Sequence, residues 1–151
     1  MNVFVTTGTT SFSQLVDASL SQISNVDLII QSPSVSSYSN SDFLNSLECF
    51  PFTSNIKHYY DWADVIITHA GAGTVYNLLE KGKKVIVVPN LTRRDKHQLD
   101  LATFLFEENL CEVCFDLNEL GDSIASVTTK KFNRYRKDDF SGVDLILELL
   151  D

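Results

Sequence analysis

The sequence predicts an α/β fold, a parallel sheet covered by helices on both faces, and three observations predict it. Short apolar runs alternate with longer stretches whose apolar residues recur every three or four positions. The runs Val65-Ile66-Ile67 and Val85-Ile86-Val87-Val88 lack the in–out alternation of a half-exposed strand, so they read as buried on both faces. Three polar, turn-forming segments follow such runs: Thr6-Thr7-Gly8-Thr9-Thr10, residues 69–74 and residues 90–98. A doubly wound sheet binds ligands outside the carboxyl ends of its strands, where all three segments would lie. The expected architecture is Rossmann-like.

The elements follow in order. Residues 3–7 read as the first strand. A helix over 11–24 comes next, with Phe12, Leu15, Val16, Leu20 and Ile23 on one stripe. Residues 26–30 form the second strand, and the serine-rich stretch 33–46, with Pro33, reads as a variable loop. A third strand is expected at 48–52, a short helix at 56–63 and a fourth strand at 65–68. A helix over 74–81 is ended by Gly82, and a fifth strand over 85–88 is ended by Pro89. Residues 96–109 read as a helix with Leu101, Ala102, Leu105 and Phe106 inward, then 111–115 as the last strand. Helices at 117–127 and 143–150 complete the chain.

A chain of 151 residues is one domain by size, expected over 1–151, with the tail from about residue 128 the least patterned part. Hydrophobic residues make up 44% and charged residues 21%, as in ordinary globular proteins. Twelve basic against 20 acidic residues give a net charge of −8, which disfavours nucleic acid and leaves any phosphate to local dipoles. No apolar stretch is long enough to span a membrane, and Met1-Asn2-Val3-Phe4-Val5 starts a strand without a basic leader. A cytoplasmic location is the expectation. Cys111 and Cys114 lie three apart in a strand pattern, on opposite faces, so they read as buried structural thiols, as does Cys49.

Chemistry concentrates in Thr68-His69-Ala70-Gly71-Ala72-Gly73-Thr74. A strand that turns through small residues into a helix leaves backbone N–H groups pointing outward, and the helix dipole adds positive charge there. Such a turn suits a phosphate, and glycines let the ligand approach closely. His69 reads either as an added donor or as a plain capping or core histidine. His97 and Gln98 open a helix at the same edge, as site residues or as a solvated helix start. His58 reads as a surface or partner-facing residue. Residues 92–96 read equally as a solvated charged loop. The basic run Lys130, Lys131, Arg134, Arg136 and Lys137 reads as a solvated linker, or as a surface for an acidic partner or an anionic leaflet.

Several α/β chemistries are excluded by their motifs. No G-K-[ST] ending exists for a P-loop, and Tyr76 stands where a dinucleotide fingerprint needs its third glycine. Pro89 and Asn90 end the next strand where a ribose-binding acid belongs, and the first strand lacks the acidic pair of a phosphoacceptor domain. There is no D-x-D sequence to carry a metal–diphosphate, and no metal site is read from the chain.

With these motifs the chain resembles the carboxyl-terminal half of GT-B glycosyltransferases of family 28, to which MurG belongs. It also resembles the short PssE-like subunits of bacterial polysaccharide synthesis. Those are similar to the cytosolic catalytic subunit that adds the second N-acetylglucosamine to dolichol-linked sugar in eukaryotes. Phe4-Val5-Thr6-Thr7-Gly8-Thr9-Thr10-Ser11-Phe12 looks like the family's opening strand and G-T loop. Residues 68–74 look like its H-A-G-x-G-[ST] turn, and Val87-Val88-Pro89 through His97-Gln98 like its V-P…H-Q segment.

The resemblance implies the donor-binding half of a GT-B fold acting on a UDP-sugar, without a cofactor. Gly71, Ala72, Gly73 and Thr74 would cradle the diphosphate, with His69 beside it as the catalytic contact. Gln98 would bond sugar hydroxyls, His97 would line the pocket, and Gly8 and Thr9 would close the cleft floor. Asn77 stands where MurG-type enzymes carry a ribose-binding glutamate, and an amide lacks the charge-assisted strength of a carboxylate. The implied partner is a membrane-anchored, PssD-like subunit that supplies the acceptor side and the general base, recruiting this chain to the inner face of the membrane. The implied reaction is inverting transfer of a hexose, expected to be galactose, to a lipid-linked saccharide in polysaccharide synthesis. An N-acetylglucosamine transferase subunit and a non-catalytic UDP-sugar-binding subunit are the alternatives. A plain scaffold with a structural glycine turn, or a hydrolase or epimerase on this fold, stands further off.

Overall fold

Six parallel strands in the order β3-β2-β1-β4-β5-β6 form one sheet in the computed structural model, which describes residues 1–35, 42–92 and 96–136. The strands are β1 (Asn2–Thr6), β2 (Asp27–Gln31), β3 (Ser46–Phe50), β4 (Val65–His69), β5 (Lys84–Val88) and β6 (Glu112–Val113). Between and after them run α1 (Ser13–Gln22), α2 (Ile56–Trp62), α3 (Ala72–Glu80), α4 (His97–Glu107) and α5 (Leu120–Thr129). A turn of 3₁₀-helix, Leu117–Glu119, leads into α5 and is capped by the Asp116 carboxylate, which accepts from the Asn118 N–H at 2.9 Å.

The fully buried strands explain the unalternating apolar runs. Phe4, Ile66, Val85 and Val87 face α2, α3 and α4, where Val75, Leu78, Leu101 and Leu105 meet them. Val3, Val5, Leu28, Ile30, Ile67 and Ile86 face α1 and α5, where Leu15, Val16, Leu120 and Val127 pack. The sheet is therefore doubly wound, as the sequence predicts. The edges differ from its middle: β3 is part-exposed, with Ser46 and Glu48 in solvent, and β6 is two residues long.

Helix ends follow the left-handed residues. Gly82, at φ +73°, closes α3: its N–H donates to the Leu79 carbonyl, and the Lys83 N–H reaches back to Leu78. Asn109, at φ +50°, closes α4 in the same way, through Phe106 and Leu105. Asn is one of the few side-chain-bearing residues that enter this region readily.

Four expectations need correction, the simplest being Phe106 of α4, which is 58% exposed rather than inward. Helix α3 begins at Ala72 rather than residue 74, because Gly71 already occupies the cap and its carbonyl accepts from Val75 at 3.0 Å. The last strand shrinks from five residues to two, although the Cys114 N–H still donates to the Val87 carbonyl at 2.9 Å, and Cys111 and Cys114 enter opposite cores as expected. The basic run after α5 is not a loose linker over its described part. Lys130 pairs with Glu112 at 3.1 Å, and Asn133 donates from its backbone to the Asn109 carbonyl at 2.8 Å and from its side chain to Glu108 at 2.9 Å. This strap lays Tyr135, 5% exposed, against Tyr76 of α3 with ring centres 4.8 Å apart. Lys137, the loop core 93–95 and the helix expected at 143–150 lie outside the described residues.

Two measurements test this packing. Tyr135→Ala removes a buried ring from the α3 core and is expected to cost about 3 kcal/mol of unfolding free energy in urea titrations. Burial pushes the Cys111 thiol from 9.0 up to about 12, with the neighbouring Glu112 charge adding to it. The native state therefore holds that proton more tightly than the unfolded chain, so the stabilisation is complete below pH 9 and falls as pH rises toward 12. Urea midpoints of wild type and Cys111→Ala should converge over that interval; parallel curves would contradict the assignment.

Candidate functional site at the reversal of strand order

Strands β1 and β4 are neighbours in register, Thr6 beside Thr68, yet their chains leave in opposite directions. After β1 the chain passes to α1 on one face, and after β4 it passes to α3 on the other. A crevice opens at such a divergence, and in doubly wound sheets it is where ligands sit. The Gly8 turn and the His69–Gly71 turn form its two lips.

His69 is the last residue of β4 and is partly buried, with its ring between the two turns. A methyl group placed on Gly8 would stand 3.9 Å from His69 Cε1, and one on Gly71 would stand 3.3 Å from Nε2. Gly71 thus leaves room for the imidazole, whereas a methyl on Gly8 would sit at ordinary contact distance. Gly8 lacks a side chain for conformation instead, since its φ is +62°.

Backbone donors are distributed differently from the sequence expectation. The Gly71 N–H is already committed to the His69 carbonyl at 2.9 Å, so Gly71 shapes the turn but does not offer its amide. The first helical bond is Val75 N–H to Gly71, which leaves the amides of Ala72, Gly73 and Thr74 as the outward donors of α3. No side chain caps this helix start. A methyl group on Gly73 would meet nothing within 4 Å, so the space above this turn is open. Gly73, Asn77 and Glu80 follow one another along an exposed stripe of α3.

Gly8 and Thr9 are exposed, but the Gly8 N–H also points inward. It donates to Gln31 Oε1 at 3.1 Å and lies 3.3 Å from Thr6 Oγ1. Gly8 therefore forms a floor by lacking a side chain rather than by donating. His97 is exposed at the first turn of α4, while Gln98 is half-buried and accepts from the Asn90 N–H at 2.9 Å. Asn90 in turn accepts from Thr92 through its N–H at 3.2 Å and its hydroxyl at 2.6 Å. The Gln98 carbonyl oxygen is thus used to fix the turn after β5. A cavity of about 200 Å³ opens beside that turn, lined by Phe12, Asn90, Leu91 and Phe115 among others.

Sequence reasoning missed Gln31. It ends β2, is 3% exposed, and bonds to the Gly8 turn and to the carbonyl of Pro51. Its signal was a polar residue directly following the buried run Leu28-Ile29-Ile30. Among the described residues no group of three His, Cys, Asp or Glu side chains is placed to hold a metal ion, and no helix is long and apolar enough to cross a membrane.

Gly73→Ala tests the open space. Alanine in a helix is preferred over glycine by about 1 kcal/mol and meets no neighbour here, so the unliganded protein should melt at the same temperature or higher. A lower melting temperature would mean that protein atoms already fill that space.

The chain is 36% identical over 124 residues to the UDP-N-acetylglucosamine transferase subunit ALG13 of Homo sapiens, covering 74% of this chain and 11% of that protein. It is 32% identical over 98 residues to the same-named subunit of Candida albicans, covering 65% of this chain and 32% of that one. An NMR solution structure of ALG13 superposes with a TM-score of 0.65 at 23% identity, over 99% of this chain and 96% of that one. Acinetobacter baumannii MurG superposes with 0.67 at 18% identity, over 99% of this chain and 49% of that one. These two likenesses show the fold. The relatives' name carries N-acetylglucosamine, which overturns the expectation of galactose transfer in polysaccharide synthesis. The glycosyltransferase family 28 C-terminal domain matches residues 2–142, and the chain belongs to that family.

Proposed function

We propose that this chain is the donor-binding subunit of a two-component transferase that moves N-acetylglucosamine from its UDP conjugate to a lipid-linked saccharide. The observation that carries the reading is the crevice at the strand-order reversal, where His69 and the open start of α3 face the Gly8 floor. The sugar is taken from the relatives, which are named UDP-N-acetylglucosamine transferase subunits and of which this chain spans only part.

In this reading the amides of Ala72, Gly73 and Thr74 receive the diphosphate, with His69 beside them and Gly71 shaping the turn. As the bond to the sugar breaks, negative charge grows on departing UDP and positive charge on the sugar ring. Donors held in place beforehand stabilise that change without reorganising, typically by about 3 kcal/mol each. Attack by the acceptor hydroxyl from the opposite side inverts the anomeric centre. In the same reading Asn77, exposed one turn beyond Gly73, would bond ribose hydroxyls, and Gln98 and His97 would line the sugar end. Because the Gln98 carbonyl oxygen already accepts from Asn90, Gln98 would act on the sugar through its NH₂ group. A GT-B enzyme has two such halves. A membrane-anchored partner is therefore proposed to supply the acceptor side and the general base, and to hold this subunit at the cytoplasmic face.

Three results are expected. Titration calorimetry should detect UDP binding to the isolated chain, while transfer should require the partner; full activity of the lone chain would refute the division of labour. His69→Ala should abolish transfer by the reconstituted pair with the fold intact, whereas unaltered turnover would reduce the chain to a scaffold. With both subunits present, UDP-N-acetylglucosamine should be consumed in preference to UDP-galactose.

A further inference from the structure

Gln31 stands out among the buried polar groups because every hydrogen-bonding position of its amide is used. Oε1 accepts from Thr6 Oγ1 at 2.5 Å and from the Gly8 N–H at 3.1 Å. Nε2 donates to the Gly8 carbonyl at 2.9 Å and to the Pro51 carbonyl at 2.7 Å. An amide has two acceptor and two donor positions, so the group is saturated. Two of its four partners are the N–H and C=O of one residue, Gly8. Holding both polar groups of a residue fixes the orientation of the peptides on either side of it.

That residue is the one whose φ of +62° turns the chain beside His69 Cε1. A second link runs parallel: the Thr7 hydroxyl donates to Ser32 Oγ at 2.9 Å, and the Thr7 N–H to the Gln31 carbonyl at 3.0 Å. Gln31 thereby ties together the turns that follow β1, β2 and β3. The Gly8 lip of the crevice is thus held from behind by the Gln31 side chain, with the Thr7–Ser32 link beside it.

We propose that Gln31 is a positioning residue of the donor crevice, setting the Gly8 turn against the His69 imidazole so that a nucleoside diphosphate meets a preformed floor. This rests on the donor-binding reading above for the ligand, but the link from Gln31 through Gly8 to His69 does not. Gln31→Met keeps the volume and removes all four bonds. Asn2→Ala, which removes a side-chain bond to the Trp62 carbonyl at the opposite end of β1, serves as the control.

The experiment compares the full chain in three forms by NMR of the His69 Cε1–H resonance and by calorimetry with UDP. Gln31→Met should displace the His69 resonance and weaken UDP by about tenfold or more, the scale of one to two net hydrogen bonds. Asn2→Ala should leave both unchanged. An unmoved His69 resonance in Gln31→Met, or the same displacement in Asn2→Ala, would overturn the proposal. If Gln31→Met fails to fold, Thr6→Val removes one of the four partners and should shift the same resonance by less; no shift there counts against the proposal. Wild type that binds no UDP would defeat the functional reading, while the resonance would still decide the role of Gln31.

Discussion

The placement of β1 beside β4 is the constraint on which the rest of the structure depends. Two adjacent parallel strands whose chains depart to opposite faces cannot fill the space above their junction with their own connections. The turns that carry the proposed site are arranged around that gap. Gly71 is small where a side chain would crowd His69, Gly8 takes a left-handed φ, α3 starts with its amides free, and the backbone polar groups behind the gap are satisfied by neighbouring side chains. A buried polar group left without a partner costs about 1–3 kcal/mol, so a crevice edged by turns is stable only when its rear is fully bonded. The Thr6–Gln31–Gly8 set and the Thr7–Ser32 pair meet that requirement.

Much of the fold was legible because parallel strands buried on both faces leave a plain signature. The runs at 65–67 and 85–88 needed no partner information to be read as central strands, and Gly82 marked the end of α3 through the φ it alone adopts cheaply. Boundaries were less legible. Glycines at 71 and 73 read together as a turn, but one caps the helix and the other lies inside it, since a helix tolerates glycine in its first turn. The strap after α5 was obscured by its five basic residues. Phe132 and Tyr135, three apart among those charges, are what anchor it, and they form no periodic pattern long enough to register.

The site divides in the same way. His69 and the α3 turn stand out in the sequence as candidates because a glycine-bounded strand-to-helix turn suits a phosphate. Gln31 does not, because a single glutamine acquires its meaning only when four partners from the end of β1, the turn after it and the turn after β3 converge on it. Gln98, a sugar contact only by resemblance, has one end of its amide already engaged with Asn90. The sugar was misjudged for a chemical reason. A hexose and its N-acetyl derivative share the diphosphate and most of the hydroxyls that these motif residues would touch, so the motifs carry little information about position two of the ring.

The two margins of the sheet bear on how the molecule behaves in company. A strand with one unpaired side is a template onto which another chain can add, and soluble proteins blunt such margins by brevity or charge. Here β6 offers only two residues, too few to seed a ladder, and β3 carries an exposed carboxylate at Glu48. A second copy approaching along β3 would set Glu48 against an identical charge, on a chain whose net charge is already −8. Sheet-to-sheet polymerisation along these margins is thereby discouraged.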